Sequence, residues 1–405
     1  VGKSLEDTHT EGLELFLVSK SLDKFSIHNL GREGREWCLT KSIKKERIDS
    51  CFPDVKNETQ KQNIKKIVDF KYTVRDFQPE DAISISKCAY KAYGYTYENY
   101  IYYPEQIVEL NRQGILISSV AVAEDGEIFG HIAFKYSSAE EQVPELGVAF
   151  VAPSHRGSRA LRPLTTFMID KAKKMNIMGF YVRAVTNHIV SQKTGESCGM
   201  KPCGMLLGCF PDDVKFKDLT GKVSQKESGV IIYLPLKEYI KVTVYPPEKH
   251  RKKIEEIYKH LAINREILVV DTDGKENQCL NMSFFKDEIL NTGIINVFSY
   301  GENTFQEVKN TLNRYCLEKT DVIYIYLNLE NPFASVFSIE LEKLGFFFAG
   351  ILPGFLSGHD AFVMQYLNNL KINYEEIKLN SQFSYEILQY VRENDPSVFR
   401  HGSTL

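Results

Sequence analysis

Apolar positions along the chain switch between a helical period and strict alternation, and the switches predict its elements. GLELFLVSKSLDKF has helical spacing, and SIHNL and EWCLTKS then flank the turn signal GREG, so residues 1–43 read as an αββ unit. Residues 44–69 are charged and interrupted by one proline, the pattern of a linker. From Phe70 a strand (FKYTVRDF) leads to two helices (PEDAISISKCAYKAY, YYPEQIVELNR). Two strands follow (SSVAVAE, EIFGHIAFKY), joined by Asp125-Gly126, a hairpin signal because both residues tolerate positive φ. In the next strand, 143–151, Leu146, Val148 and Phe150 would share one face and Glu145, Gly147, Ala149 and Val151 the other. A helix over 159–176 sets Leu161, Leu164, Met168, Ala172 and Met175 at helical spacing, with Pro163 in its first turn.

After Lys241 the alternation restarts with KVTVYPP, the helix KHRKKIEEIYKHL, and strands near 266–271 and 278–283. GMKPCGMLLGCFP followed by GVIIYLPL parallels GFFFAGILPGFLS followed by DAFVMQYL: a helix end, a strand, a loop and a final strand in each case. The expectation is an α+β fold with a mixed, mostly antiparallel sheet flanked by helices, in tandem. The first domain covers 70–240, a related one 241–370, and a C-terminal extension 371–405.

Composition narrows the function. The chain has 405 residues, 43% hydrophobic and 25% charged, with 50 Lys plus Arg against 53 Asp plus Glu. That balance lacks the basic footprint of nucleic-acid binding. No apolar run approaches the roughly 18 residues that span a bilayer, and the polar start does not resemble a signal peptide, so a cytoplasmic protein is expected. The eight cysteines show no CxxC pair and no histidine pair at zinc spacing, which predicts reduced thiols and no metal.

The chemistry concentrates at 145–162, ELGVAFVAPSHRGSRALR, where a strand ends and a helix starts within about eight residues. Helix starts expose N–H groups with partial positive charge, and Gly157 lets the backbone approach an oxyanion. Arg156 and Arg159 add fixed charge that suits a pyrophosphate.

The run V-x-P-x-x-R-G, with Glu145 six residues ahead of it, within this order of elements, resembles the GNAT superfamily of N-acetyltransferases over about residues 70–237. The resemblance implies an acetyl-CoA-dependent enzyme that acetylates a small-molecule or peptide amine by direct attack. It implies that Arg156, Gly157, Ser158, Arg159, Ala160 and Leu161 cradle the pyrophosphate. Ala149, Phe150 and Val151 would pair with the pantetheine arm, and Glu145 would be the general base. Two features depart from the family pattern: its later small residues fall on Arg159 and Leu161, and its usual tyrosine acid falls on Gly195, leaving His188, Ser191 or a water as substitutes. A histidine at His188 is more often a packing or hydrogen-bonding residue, and the tyrosines of AYKAYGYTYENYIYYPE read as an acceptor wall or as core anchors. The N-terminal unit resembles the end of an anti-sigma-factor serine kinase domain, a histidine-kinase-like ATPase. That resemblance implies a regulatory protein partner but no ATP site, since the nucleotide motifs are absent here. The competing reading is a degenerate acyltransferase fold serving as an acyl-CoA-binding or regulatory module.

Overall fold

The computed structural model describes residues 24–29, 35–40, 70–94, 96–136, 141–175, 177–211, 225–268 and 280–399. The chain divides into two compact units, Val1–Lys66 and Ile67–Leu405. In the first, β1 (Lys24–Asn29) and β2 (Arg35–Thr40) form an antiparallel hairpin across the predicted turn. The helix expected before them and the linker lie outside the described residues.

The second unit is built on one mixed, mostly antiparallel sheet of twelve strands. The predicted order of elements holds from β3 (Tyr72–Asp76) through helices α1 (Ala82–Tyr93) and α2 (Pro104–Arg112) to β4 (Leu116–Ala123) and β5 (Ile128–Lys135). β6 (Glu145–Val151) shows the expected alternation, with Leu146, Val148 and Phe150 buried. Helix α3 (Leu161–Lys174) then buries Leu164, Met168 and Ala172 against the sheet. β7 (Gly179–Val185), helix α4 (Val190–Ser197), β8 (Lys201–Phe210) and β9 (Glu227–Pro235) complete this half.

Beyond it, the strand predicted near 266–271 is described only as far as residue 268, and its remainder lies outside the described residues. β10 (Val242–Val244) and β11 (Arg265–Ile267) form a separate parallel pair on either side of helix α5 (Glu248–Leu261). The next described strand is β12 (Asn281–Asp287); the start of the strand predicted near 278–283 lies outside the described residues. The rest is β13 (Thr292–Ser299), helix α6 (Thr304–Leu317), β14 (Val322–Asn328), helix α7 (Phe333–Leu344), β15 (Phe347–Leu356), β16 (His359–Leu367) and the C-terminal helix α8 (Gln382–Asn394).

Read outward from its middle, the sheet has the same pairing in both directions. β8–β9 and β9–β7 are antiparallel, β7–β6 is parallel and β6–β5 antiparallel; β15–β16, β16–β14, β14–β13 and β13–β12 repeat that series. The middle is the β8–β15 pair, registered at Gly204 opposite Gly350. A Cβ on Gly350 would stand 2.4 Å from the Gly204 Cα, so only glycine allows this approach. Beside the seam the buried Gln365 amide accepts from the Leu207 N–H (2.9 Å) and donates to the carbonyls of Met205 (3.3 Å) and Phe348 (3.4 Å). Those bonds lock the two central strands where the backbone ladder is short.

Candidate functional site

The site begins where the sheet splits. β6 and β7 run parallel, yet the only registered pair between them is Glu145 with Tyr181, and from there they diverge. At the fork Arg183 closes on Glu145 with two parallel bonds of 2.8 Å, Nε to Oε1 and Nη2 to Oε2. Both side chains are largely buried, at 18% and 14% exposed. The guanidinium also lies 5.5 Å from the Phe210 ring. Arg183 is the residue sequence reasoning missed; its signal is a lone charge in the otherwise apolar strand GFYVRAV.

Beyond the fork, β6 leaves its other neighbour as well. Its pairing with β5 jumps from Gly147 opposite Ala133 to Phe150 opposite His131, so Val148 and Ala149 bulge against the single residue Ile132. Val148 has φ 51°, an uncommon conformation for a β-branched side chain. Its carbonyl accepts a hydrogen bond from His131 Nδ1 (2.8 Å), and the Ala149 carbonyl accepts one from the Tyr93 hydroxyl (3.4 Å).

A cavity of about 620 Å³ occupies the gap. All of the sequence-derived candidates line it: Glu145 at the fork, Ala149, Phe150 and Val151 along β6, Arg156 through Leu161 at the corner, and His188 on the far wall. At the corner Gly157 has φ 95° with open space where a Cβ would be, and Arg159 adopts φ 59° without glycine's freedom. Arg159 is a bulky residue in left-handed backbone, a strain of about 1–2 kcal/mol. The Ser158 hydroxyl faces the Ala160 N–H at 3.4 Å, at the first turn of α3.

On the far wall burial lowers the pKa of His188, and its Nδ1 accepts from the Val190 N–H (3.3 Å). Beside it Asn187 and Ser191 also line the cavity, and their buried Oδ1 and Oγ have no hydrogen-bond partner. Gly195 also lines the cavity, and a Cβ there would meet Ile232 Cδ1 at 2.3 Å. Of the tyrosine-rich stretch, Tyr93 and Tyr97 stack at 4.3 Å and line the cavity, while Tyr103 is exposed.

Past Arg183 the cavity reaches Phe210, Glu227 and a turn of the second half that carries Asp287, Ile289 and Leu290. Burial raises Glu227 above the ordinary carboxylate range, opposed by bonds from the Thr186 hydroxyl (2.7 Å) and N–H (3.0 Å). The turn is tied down by Lys226, whose Nζ donates to the Leu290 carbonyl (2.5 Å) and pairs with Asp321 (2.8 Å). From the C-terminal extension, the Lys378 N–H bonds the Thr186 carbonyl (2.8 Å), and Gln192 bridges Val185 and Lys378. Both later segments of the chain therefore brace the walls of the first half's cavity.

The described cysteines are free, and burial pushes Cys88 and Cys209 up to about 12. Among the described residues, no group of three His, Cys, Asp or Glu side chains could hold a metal ion, and no helix is long and apolar enough to cross a membrane.

No protein-family model matches the chain, and no curated protein sequence matches it. Solved structures do align with part of it. Mutant forms of the spermidine/spermine N-acetyltransferase SpeG from Vibrio cholerae share 16% identity over 42% of this chain and 97% of theirs, with a TM-score of 0.33. The ribosomal-protein-S18-alanine N-acetyltransferase from Escherichia coli shares 14% over 42% and 97%, with a TM-score of 0.33. A GNAT family N-acetyltransferase from Escherichia coli, in complex with CoA, shares 15% over 42% and 84%, with a TM-score of 0.29.

Proposed function

We propose that the chain is an acetyl-CoA-dependent N-acetyltransferase whose only acyl-CoA site is the cavity between β6 and β7. The observation that carries this reading is the cavity's polarity from end to end. It starts at a basic, glycine-containing helix corner, passes along the edge of β6 that β7 has left and that β5 skips at Val148 and Ala149, and ends among carboxylates. That sequence of surfaces suits a pyrophosphate, an amide-bearing arm and an amine in turn. Arg156, Gly157, Ser158 and Arg159 hold the pyrophosphate, with Ala160 and Leu161 opening the helix behind it. The backbone of Ala149, Phe150 and Val151, with Asn187 and Ser191 opposite, meets the arm. Acetyl-CoA supplies the acyl group, which passes to the amine by direct attack as the C–S bond breaks.

The amine must lose a proton to a nearby base. Glu145 is the base the sequence points to, but both its oxygens already accept from Arg183, so it takes that proton through a water on its remaining lone pairs. Glu227 is the second candidate, favoured because a carboxyl raised by burial is better matched to proton abstraction near neutral pH. His188, kept neutral by burial, has no proton of its own to give; it is placed to orient a water that carries the amine's proton to the leaving thiolate. The segment 241–370 is proposed to be a silent copy that shapes the acceptor end, and the N-terminal unit a contact for a regulatory protein. Assays of thiol release with acetyl-CoA and a panel of primary amines test the base. Glu145→Gln should lower the rate by roughly 10² to 10⁴. Full activity in Glu145→Gln with the loss transferred to Glu227→Gln reassigns the role.

The degenerate-module reading draws on Arg159 and on Gly195. Binding of CoA without thiol release, whatever the amine, would select it.

A further inference from the structure

The bulge in β6 is held by a chain of buried side chains whose hydrogen-bond directions are fixed. The Val148 carbonyl can only accept, so His131 Nδ1 carries the proton in the 2.8 Å bond between them. Burial lowers the His131 pKa to about 4, so near neutral pH the ring is neutral and Nε2 is an acceptor. Its partner at 3.0 Å is the Ser118 hydroxyl, which must therefore donate. The Ser118 oxygen in turn accepts from Asn111 Nδ2 (3.1 Å), and Asn111 Oδ1 accepts from the Ser118 N–H (2.9 Å). Asn111 is anchored on α2 through the Ile107 carbonyl (2.9 Å). His131 is fully buried, and its ring lies over Phe150, 5.1 Å away at 26°.

The relay ends at the one stretch of β6 that neither adjacent strand claims. Pairing with β5 skips Val148 and Ala149, and β7 has already diverged. Val148 sits at φ 51°, a conformation that persists only where its surroundings impose it. We infer that His131 is a positioning residue: through Ser118 and Asn111 it holds the Val148–Ala149 bulge in the conformation that presents β6 to an acyl-CoA. The inference rests on the acetyltransferase reading for the identity of the ligand, but the state of the ring and of the bulge can be measured without any ligand.

The test uses the full chain. Nitrogen-15 NMR of histidine-labelled protein near neutral pH should show His131 protonated at Nδ1 and bare at Nε2. Amide exchange at Val148 and Ala149 should rise about tenfold in His131→Leu, the size expected for one lost hydrogen bond. His131→Asn, which restores a donor near the Nδ1 position, should recover most of the protection. CoA affinity, measured by calorimetry, should follow the same order. An Nε2-protonated ring, or exchange at the bulge unchanged in His131→Leu, overturns the assignment. If His131→Leu does not fold, Ser118→Ala is read instead: faster bulge exchange supports the relay, and wild-type exchange overturns it. A wild-type protein that does not bind CoA would sink the acetyltransferase reading, while the ring and exchange measurements would still decide the relay.

Discussion

Two runs of strands with one pairing order meet at the Gly204–Gly350 seam, and they differ most where each has its parallel pair. β6 and β7 touch at a single registered pair and then part around a cavity. β13 and β14 stay paired through six registers, from Thr292 opposite Val322 to Val297 opposite Leu327. The reasons are local. Glu145 and Arg183 occupy the fork in the first half, and β6 bulges just beyond it. In the second half, the Tyr315 ring of α6 packs so closely on Gly293 that a Cβ there would meet it at 2.6 Å. Tyr300, Phe305 and Phe337 pack as neighbouring rings behind the same strands. One topology thus gives an open site or a filled core, according to which side chains stand between its two parallel strands.

The fork is the part of that comparison most open to attack. Arg183→Met should leave Glu145 buried without a cation, and urea unfolding should show a loss of roughly 3–5 kcal/mol. A cost near zero would mean that packing at Tyr181, rather than the ion pair, sets the divergence.

A second effect, somewhat smaller, separates the halves by pH. In the unfolded chain histidine takes a proton near pH 6.5, whereas folded His131 resists until about 4. Its contribution is therefore intact above pH 6.5, falls as pH drops from 6.5 to 4, and is flat below. The loss is about 3 kcal/mol. Its absence in His131→Asn, followed by chemical unfolding across that range, would locate the effect at the bulge. His188 in the same half and His250 and His260 in the second, each lowered by burial, should remain as the residual slope in that variant.

The smallest effects sharpen the corner. Arg156→Ala should weaken CoA binding by about 1.5–3 kcal/mol, the loss of one charge-assisted bond. Arg159→Gly relieves a left-handed arginine and should raise stability by about 1 kcal/mol, with affinity equal or tighter. If affinity drops instead, Arg159 is itself a phosphate ligand.

Much of this was legible in the chain, because it depends on local period and turn chemistry. The alternation in ELGVAFV sets the burial of β6, and Asp125-Gly126 sets the β4–β5 turn, where Asp125 Oδ1 accepts from the Glu127 N–H (3.0 Å). The paralleled glycine-rich segments place Gly204 and Gly350 at equal offsets, and these two form the seam. What the chain hid depends on tertiary approach. Arg183 meets Glu145 across 38 positions of sequence, and nothing near either residue announces the pair. The short β10–β11 pair is set by where α5 returns the chain rather than by propensity. Gly195 reads as a missing tyrosine, yet its physical reason is Ile232, which fills the space from β9.

The central claim is one acyl-CoA site per chain, at the open parallel pair and not at its filled counterpart. Calorimetric titration of the full chain with CoA measures it directly. The account predicts saturation at one CoA per chain, with affinity reduced in Arg156→Ala. Saturation at two per chain, or no measurable binding, would contradict it.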